Sequence, residues 1–336
     1  MKRLFITTLI LAILLGATIT SAPLTAQEED TIWVGAGSTT LDPYYVPLFT
    51  LGRAILAEQG ININFVALTT DEAVEAALDR GRIDAGIISL VGVHRALSQG
   101  LSFQVSLGLL QHNAFVLVTR ADVENLSELE GAQVAAQSRT SLSVTVAEVL
   151  LEEDGGLTSG EDYEMVFLAG SGNRAAALEA GTIDAATIFG PVATDLVEAN
   201  PDFKVYGGVW NVLDPMLWEG VAFSDEFREE NPELAQAFVS AMLQAYADFY
   251  EGDPAAMVGL VGELEIPEEV NASDEALEKE YVLYQEIGLY DVDGGISEEA
   301  FTRISEFLVQ VNQLEEDQVV DYATAIDPSF VEGAME

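Results

Sequence analysis

From Thr31 onward, short runs of apolar and β-branched residues alternate with stretches whose apolar positions recur at helical spacing. That alternation is the pattern of an α/β protein in which helices pack on the faces of a sheet. TIWVGA reads as a buried strand, and Asp42-Pro43 then places a capping carboxylate and a first-turn proline ahead of a helix running to about Gln59. Strand INFVAL, a helix over 71–80 and strand IDAGII follow. The alternation resumes with strand QVAA, a helix over about 141–153, and strands MVFLA and IDAATI. Between the two series, FQVSLGLL and NAFVLVTR are strand-like, and NAFVLVTR is the candidate for a chain crossing. The return crossing is expected near FKVYGGVW, within 204–210. After Ser224 the pattern is helical to the end, with Asn231, Ser273 and Ser297 as N-terminal caps. The simplest place for so long a helical tail is against the first lobe.

An internal echo organises the chain. ALDRGRIDAGII starts at Ala77 and ALEAGTIDAATI at Ala177, and they agree at Ala, Leu, Gly, Ile, Asp, Ala and Ile. In each copy a helix ends at a glycine, Gly81 or Gly181, and an apolar strand starts behind an aspartate. Two similar α/β lobes are therefore expected, with residues 30–115 and 212–336 in the first and residues 116–211 in the second.

Composition narrows the function. The 336 residues carry 57 Asp+Glu against 13 Lys+Arg, a formal net charge of −44. Such a field repels phosphate backbones and argues against nucleic acid as a partner. It suits a surface adapted to salt or acid, where ions screen the repulsion. There is no cysteine and there are only two histidines, His94 and His112. Thiolate metal sites, iron–sulfur clusters and a cysteine nucleophile are thereby excluded, and a histidine-based catalytic site has little material. No cofactor is expected, and an enzyme is the weaker reading. Met1-Lys2-Arg3 followed by an uncharged apolar run over 4–20, with small residues near Ala22 and Ala26, reads as a secretory signal over 1–26. No cysteine follows it for lipid attachment, so a periplasmic or extracellular protein that is not a lipoprotein is expected.

In open α/β sheets ligands bind at the carboxyl ends of the strands, so the strand-to-helix turns are the places to inspect. Four are rich in hydroxyls and glycine: Ser38 and Thr39 after the first strand, Ser89 after IDAGII, Ser138 to Ser141 after QVAA, and Ser171 to Asn173 after MVFLA. Within the third, Ser138, Arg139, Thr140 and Ser141 combine hydroxyls with a guanidinium that suits an anion. Arg174 is a weaker candidate of the same kind, a turn into its helix. Tyr44, Phe189 and Trp210 supply aromatic faces for a small-molecule pocket, with Trp218 beside the return crossing. Hydroxyls with Arg139 favour an anionic group, whereas the aromatic residues favour a flat heterocycle such as a pyrimidine or flavin, and both classes stay open.

With those parts in order, AILAEQGININFV, ALDRGRIDAGI, LVTRADVENLSELEGAQVAAQSRTS, LLEEDGGL, ALEAGTIDAATIFGP, GLYDVDGGISEEAFTRISEFL and VVDYATAIDPSFVEGAM resemble the periplasmic substrate-binding proteins of ABC importers. The similar group is that for nitrate, sulfonates, taurine and thiamine-pyrimidine precursors. The resemblance implies a two-lobed type II periplasmic binding protein fold with two crossing strands as hinge. It also implies a monomer that closes on a small organic molecule and delivers it to an ABC transporter permease. The family's Gly-Ser turn falls on Arg139-Thr140 here, and its Trp-x-Pro falls on Phe189-Gly190-Pro191, so both motifs are altered. VGAGSTTLDPYY is similar to binding proteins of TRAP-type importers as well. A secreted sensor and a thiamine-pyrimidine synthase-like enzyme are the further alternatives.

Overall fold

The computed structural model describes residues 30–336 apart from 38–42, 46, 69, 140, 214 and 264–272. The stretch over 1–26 read as a secretory signal, and with it Ser38, Thr39, Asp42 and Thr140, lies outside the described residues.

The first lobe is built on strands β1 (Asp30–Ala36), β2 (Ile61–Ala67), β3 (Ala85–Ser89) and β4 (Phe103–Leu110). Between them lie helices α1 (Arg53–Glu58), α2 (Asp71–Asp79) and α3 (Leu90–Ser98). The second contains β5 (Phe115–Arg120), β6 (Gln133–Ala136), β7 (Glu164–Phe167), β8 (Ala185–Phe189) and β9 (Phe203–Gly208). Its helices are α4 (Leu142–Glu153), α5 (Ser171–Glu179) and α6 (Gly190–Ala199). The chain then returns through β10 (Glu219–Ser224) to α7 (Asp225–Glu230), α8 (Pro232–Glu251), α9 (Pro254–Glu263), α10 (Asp274–Ile287) and α11 (Glu298–Gln310).

Two five-stranded sheets result, in the orders β2-β1-β3-β10-β4 and β7-β6-β8-β5-β9. In each, four strands run in one direction and the fourth in the order is antiparallel to both of its neighbours. The antiparallel strand is β10 in the first sheet and β5 in the second. Each is reached by crossing from the other lobe, so the chain passes between the lobes twice. The repeat has a physical cause. Gly81 and Gly181 take the positive φ (57° and 65°) that ends each helix. Asp84 then accepts the Trp33 backbone N–H at 2.7 Å, and Asp184 accepts that of Gln133 at 2.8 Å. Each aspartate also donates its own N–H to that residue's carbonyl at 2.9 Å. The repeated IDA step thus pins one parallel strand to the next in both lobes.

Three expectations need correction. The stretch read as one helix to Gln59 is divided into a 3₁₀ turn (Pro43–Tyr45), a π-helical segment (Pro47–Gly52) and α1. Pro43 and Pro47 lack the N–H that a continuous ladder requires. FKVYGG is not the return crossing but the full strand β9, paired with β5; the chain returns over 209–218. NAFVLVTR supplies only Asn113 and Ala114 to the outward passage, which is 111–114, and its remaining residues form β5. Finally, Ser273 and Ser297 accept backbone N–H bonds as caps, whereas Asn231 makes no such bond.

The tail packs on the first sheet. The Tyr246 hydroxyl donates to the Gly108 carbonyl at 2.9 Å, and Ile326 forms a parallel bridge with Val105 of β4. One element reaches further, since α10 packs on α6 of the second lobe.

Candidate functional site

The two crossings lie side by side, with the Met216 N–H donating to the Gln111 carbonyl at 3.0 Å and that of Trp218 to Leu110 at 2.9 Å. Within the first crossing Asn113 is buried. Its Oδ1 accepts from the Phe115 N–H at 3.0 Å and its Nδ2 donates to the Leu142 carbonyl at 3.1 Å, tying the crossing to the first turn of α4. Beside the crossings the carboxyl ends of the strands meet. Tyr44, just beyond β1, sets its ring edge-on to Phe189 at the end of β8, with centroids 5.7 Å apart. Phe115 meets the same Phe189 ring at 6.1 Å. The carbonyl of Tyr44 accepts from the Tyr290 hydroxyl, and the Tyr44 hydroxyl lies 3.3 Å from that of Tyr45. An aromatic seam between the lobes is therefore held in place by backbone and tail contacts.

The hydroxyl-bearing turns are present, but most of their polar atoms serve the protein. Ser89 Oγ accepts from the Gly92 N–H as the cap of α3. The Ser141 hydroxyl donates to the Ser138 carbonyl at 3.1 Å and lies 2.7 Å from that of Ser143. Ser143, which sequence reasoning passed over, is buried and accepts from the Gln137 N–H at 2.9 Å. Asn173 is exposed and donates to the Ala169 carbonyl. Ser171 Oγ accepts from both Arg174 and the Phe189 N–H, so it braces the turn that presents the Phe189 ring.

Arg174 corrects its own reading. It is 0% exposed and donates Nε to the Thr187 carbonyl at 2.6 Å, Nη1 to the Leu168 carbonyl at 2.8 Å and Nη2 to Ser171 at 2.9 Å. Burial pulls its pKa down to about 10, and its fork is spent inside the lobe. Arg139 is exposed instead, with its guanidinium carbon 4.9 Å from the centre of the Phe167 ring. It stands at the rim of the second lobe's strand ends. Trp210 is half-buried and lines an open cavity of about 480 Å3 with Met216, Arg303 and Phe307 along the return crossing. Trp218 is a core residue, edge-on to Phe307.

The contact between α10 and α6 carries side chains that, Ser273 apart, the sequence did not single out. Ser273, the cap of α10, donates both its N–H (2.7 Å) and its hydroxyl (2.6 Å) to the carboxylate of Asp195 on α6. Lys279 pairs with Glu198. Glu280 is buried beside Gly190, and burial raises its pKa to about 7. A second buried carboxylate, Glu219, begins β10 opposite Ser89.

The symmetry of the two sheets and the seam between their strand ends define the two-lobed fold of the periplasmic binding proteins, and solved structures share it. The ligand-binding component of an ABC-type import system from Staphylococcus aureus superposes with a TM-score of 0.71 at 15% identity, covering 91% of this chain and 99% of that one. The periplasmic aliphatic sulphonate binding protein of Escherichia coli gives 0.66 at 15% identity, covering 89% and 92%. The periplasmic nitrate-binding protein of Synechocystis PCC 6803 gives 0.70 at 11% identity, covering 91% and 88%. These neighbours are binding components of import systems rather than enzymes. The chain belongs to the NMT1/THI5-like family, whose model matches residues 56–256. No curated protein matches it.

Proposed function

We propose that the chain is an exported solute-binding protein that captures a small organic molecule between its lobes and delivers it to an ABC importer in the inner membrane. The observation that carries this reading is the aromatic seam, in which Tyr44 of the first lobe meets Phe189 of the second, whose ring also rests against Phe115. A solute held there touches both lobes only when they approach, so its binding favours the closed state by differential contact. The permease then reads closure. The proposed site comprises Tyr44, Ser89, Phe189 and the Ser138 to Ser141 turn with Arg139, together with Ser38, Thr39 and Thr140 of the same turns. Ser171 and Asn173 support it from behind. No helix among the described residues is long and apolar enough to cross a membrane.

Native mass spectrometry of freshly purified protein tests the reading. A retained small organic molecule, released on denaturation and rebinding with a decrease in radius of gyration, is the expected result. A protein that retains nothing and keeps the same radius across a panel of small organic solutes overturns it.

A further inference from the structure

Glu280 projects from α10 onto the first residue of α6, immediately after Phe189. It is 5% exposed. All three atoms of its carboxyl group stand where a Cβ at position 190 would have to be, so Gly190 is the residue that makes room for it. Oε1 is 3.5 Å from the Thr194 hydroxyl, and Tyr284 lies one turn further along the same helix. Oε2 is buried without a hydrogen-bond partner.

No cation among the described residues pairs with it. On α6 it faces Thr194, with Asp195 bonded to Ser273 and Glu198 bonded to Lys279. On α10 its titratable neighbours are Lys279, held by Glu198 and Glu275, and the tyrosines 281 and 284. The α6 N-terminus supplies a partial positive charge, which eases the cost of the carboxylate without saturating its lone pairs. A buried acceptor left unmatched is expensive, and a donor of opposite charge relieves it most. The Phe189 ring, one residue away, and the Tyr44 ring against it offer aromatic faces that attract a cation.

We propose that Glu280 is the specificity-determining residue of the seam, taking the N–H-donating end of a flat organic cation of amidinium or ammonium type and turning away inorganic and sulfonate anions. This rests on the solute-binding reading above and adds the sign of the ligand's charge. Parting of the lobes separates α6 from α10 and admits the solute, and closure sets its cationic end on Oε2. Since the carboxyl group ionises near pH 7, affinity for a cation rises as pH increases through that value.

Calorimetric titration with benzamidine and with methanesulfonate, at pH 6 and pH 8, tests the proposal on the full chain, Glu280→Gln and Arg139→Ala. The wild type is expected to bind benzamidine, more tightly at pH 8. Glu280→Gln should weaken this about ten- to a hundred-fold and remove the pH dependence, while its thermal melting reports that it is folded. Equal affinity for benzamidine in wild type and Glu280→Gln overturns the proposal. So does a wild type that prefers methanesulfonate and loses it in Arg139→Ala. The charge of any solute retained through purification separates the two levels: a retained anion overturns the role of Glu280 and leaves solute binding standing. Absence of both a retained solute and any probe binding overturns both.

Discussion

Asp84 and Asp184 each exchange two bonds with a single residue of the neighbouring strand, and the cost of removing either is set by the backbone N–H it leaves behind. Asp184→Ala should lower stability by about 1–3 kcal/mol in urea denaturation, with Asp84→Ala comparable. Two buried titratable groups act in opposite directions with pH. His94 accepts the Val320 N–H on Nδ1 and so carries its proton on Nε2, toward Ser305. Burial lowers its pKa from 6.5 to about 4, so the stability it confers is complete above pH 6.5 and is lost as pH falls toward 4. Glu75 is buried near Gly92 of the first turn of α3, and its pKa rises from 4.5 to about 7, through burial first and then Glu72 and Asp71. Its contribution is complete below pH 4.5 and is lost as pH rises through 7. Glu75→Gln should therefore stabilise the protein by about 1–3 kcal/mol at pH 8 and hardly at all at pH 4, as read by denaturation at both values. A variant equally stabilised at both would place the effect outside ionisation.

At the scale of elements, the informative contact is between α10 and α6, which the sequence places in different lobes. Asp195 takes two hydrogen bonds from Ser273, at the N-terminus of α10, where negative charge is also favoured by the helix dipole. Removing either partner breaks the hydroxyl bond, so a double-mutant cycle with Asp195→Ala and Ser273→Ala should show coupling of about 0.5–3 kcal/mol. Additive effects would mean that the two helices contribute independently. A weakened clasp should also shift the lobes toward the open state, seen as a larger radius of gyration in Asp195→Ala by small-angle scattering. The segmentation of residues 43–58 follows the same logic of local backbone supply, because two prolines four residues apart withhold the donors a regular helix uses.

For the whole molecule the net charge of −44 and the two crossings dominate. Repulsion among carboxylates is unscreened in dilute buffer, so the melting temperature should rise with added sodium chloride. A melting temperature indifferent to salt would show that the charges are too far apart to matter. Closure has its own reporter. Trp218 is sealed in the core against Phe307, whereas Trp210 sits half-buried on the return crossing. Solute addition should change tryptophan emission, and Trp210→Phe should remove most of that change. A full response surviving in Trp210→Phe would put the motion elsewhere than the 209–218 passage.

The sequence by itself determined the parts whose physics is local. Alternating apolar residues specify the strands, Gly81 and Gly181 stop two helices, and the IDA step at Asp84 and Asp184 reveals two lobes, because each of these signals is written within a dozen residues. The hydroxyl-rich turns were legible in position, and Ser273 and Ser297 in their capping role. What those hydroxyls bind was not legible, since Ser171 looks the same in sequence whether it faces a solute or the guanidinium of Arg174. Glu280 was invisible for a further reason. In its own helix it is one carboxylate among several, and only when α10 lies across α6 does it meet the space that Gly190 leaves. Tertiary structure alone decided which acidic residues are solvated and which are buried, because burial is a property of the partner surface and that surface lies 90 residues away in the chain.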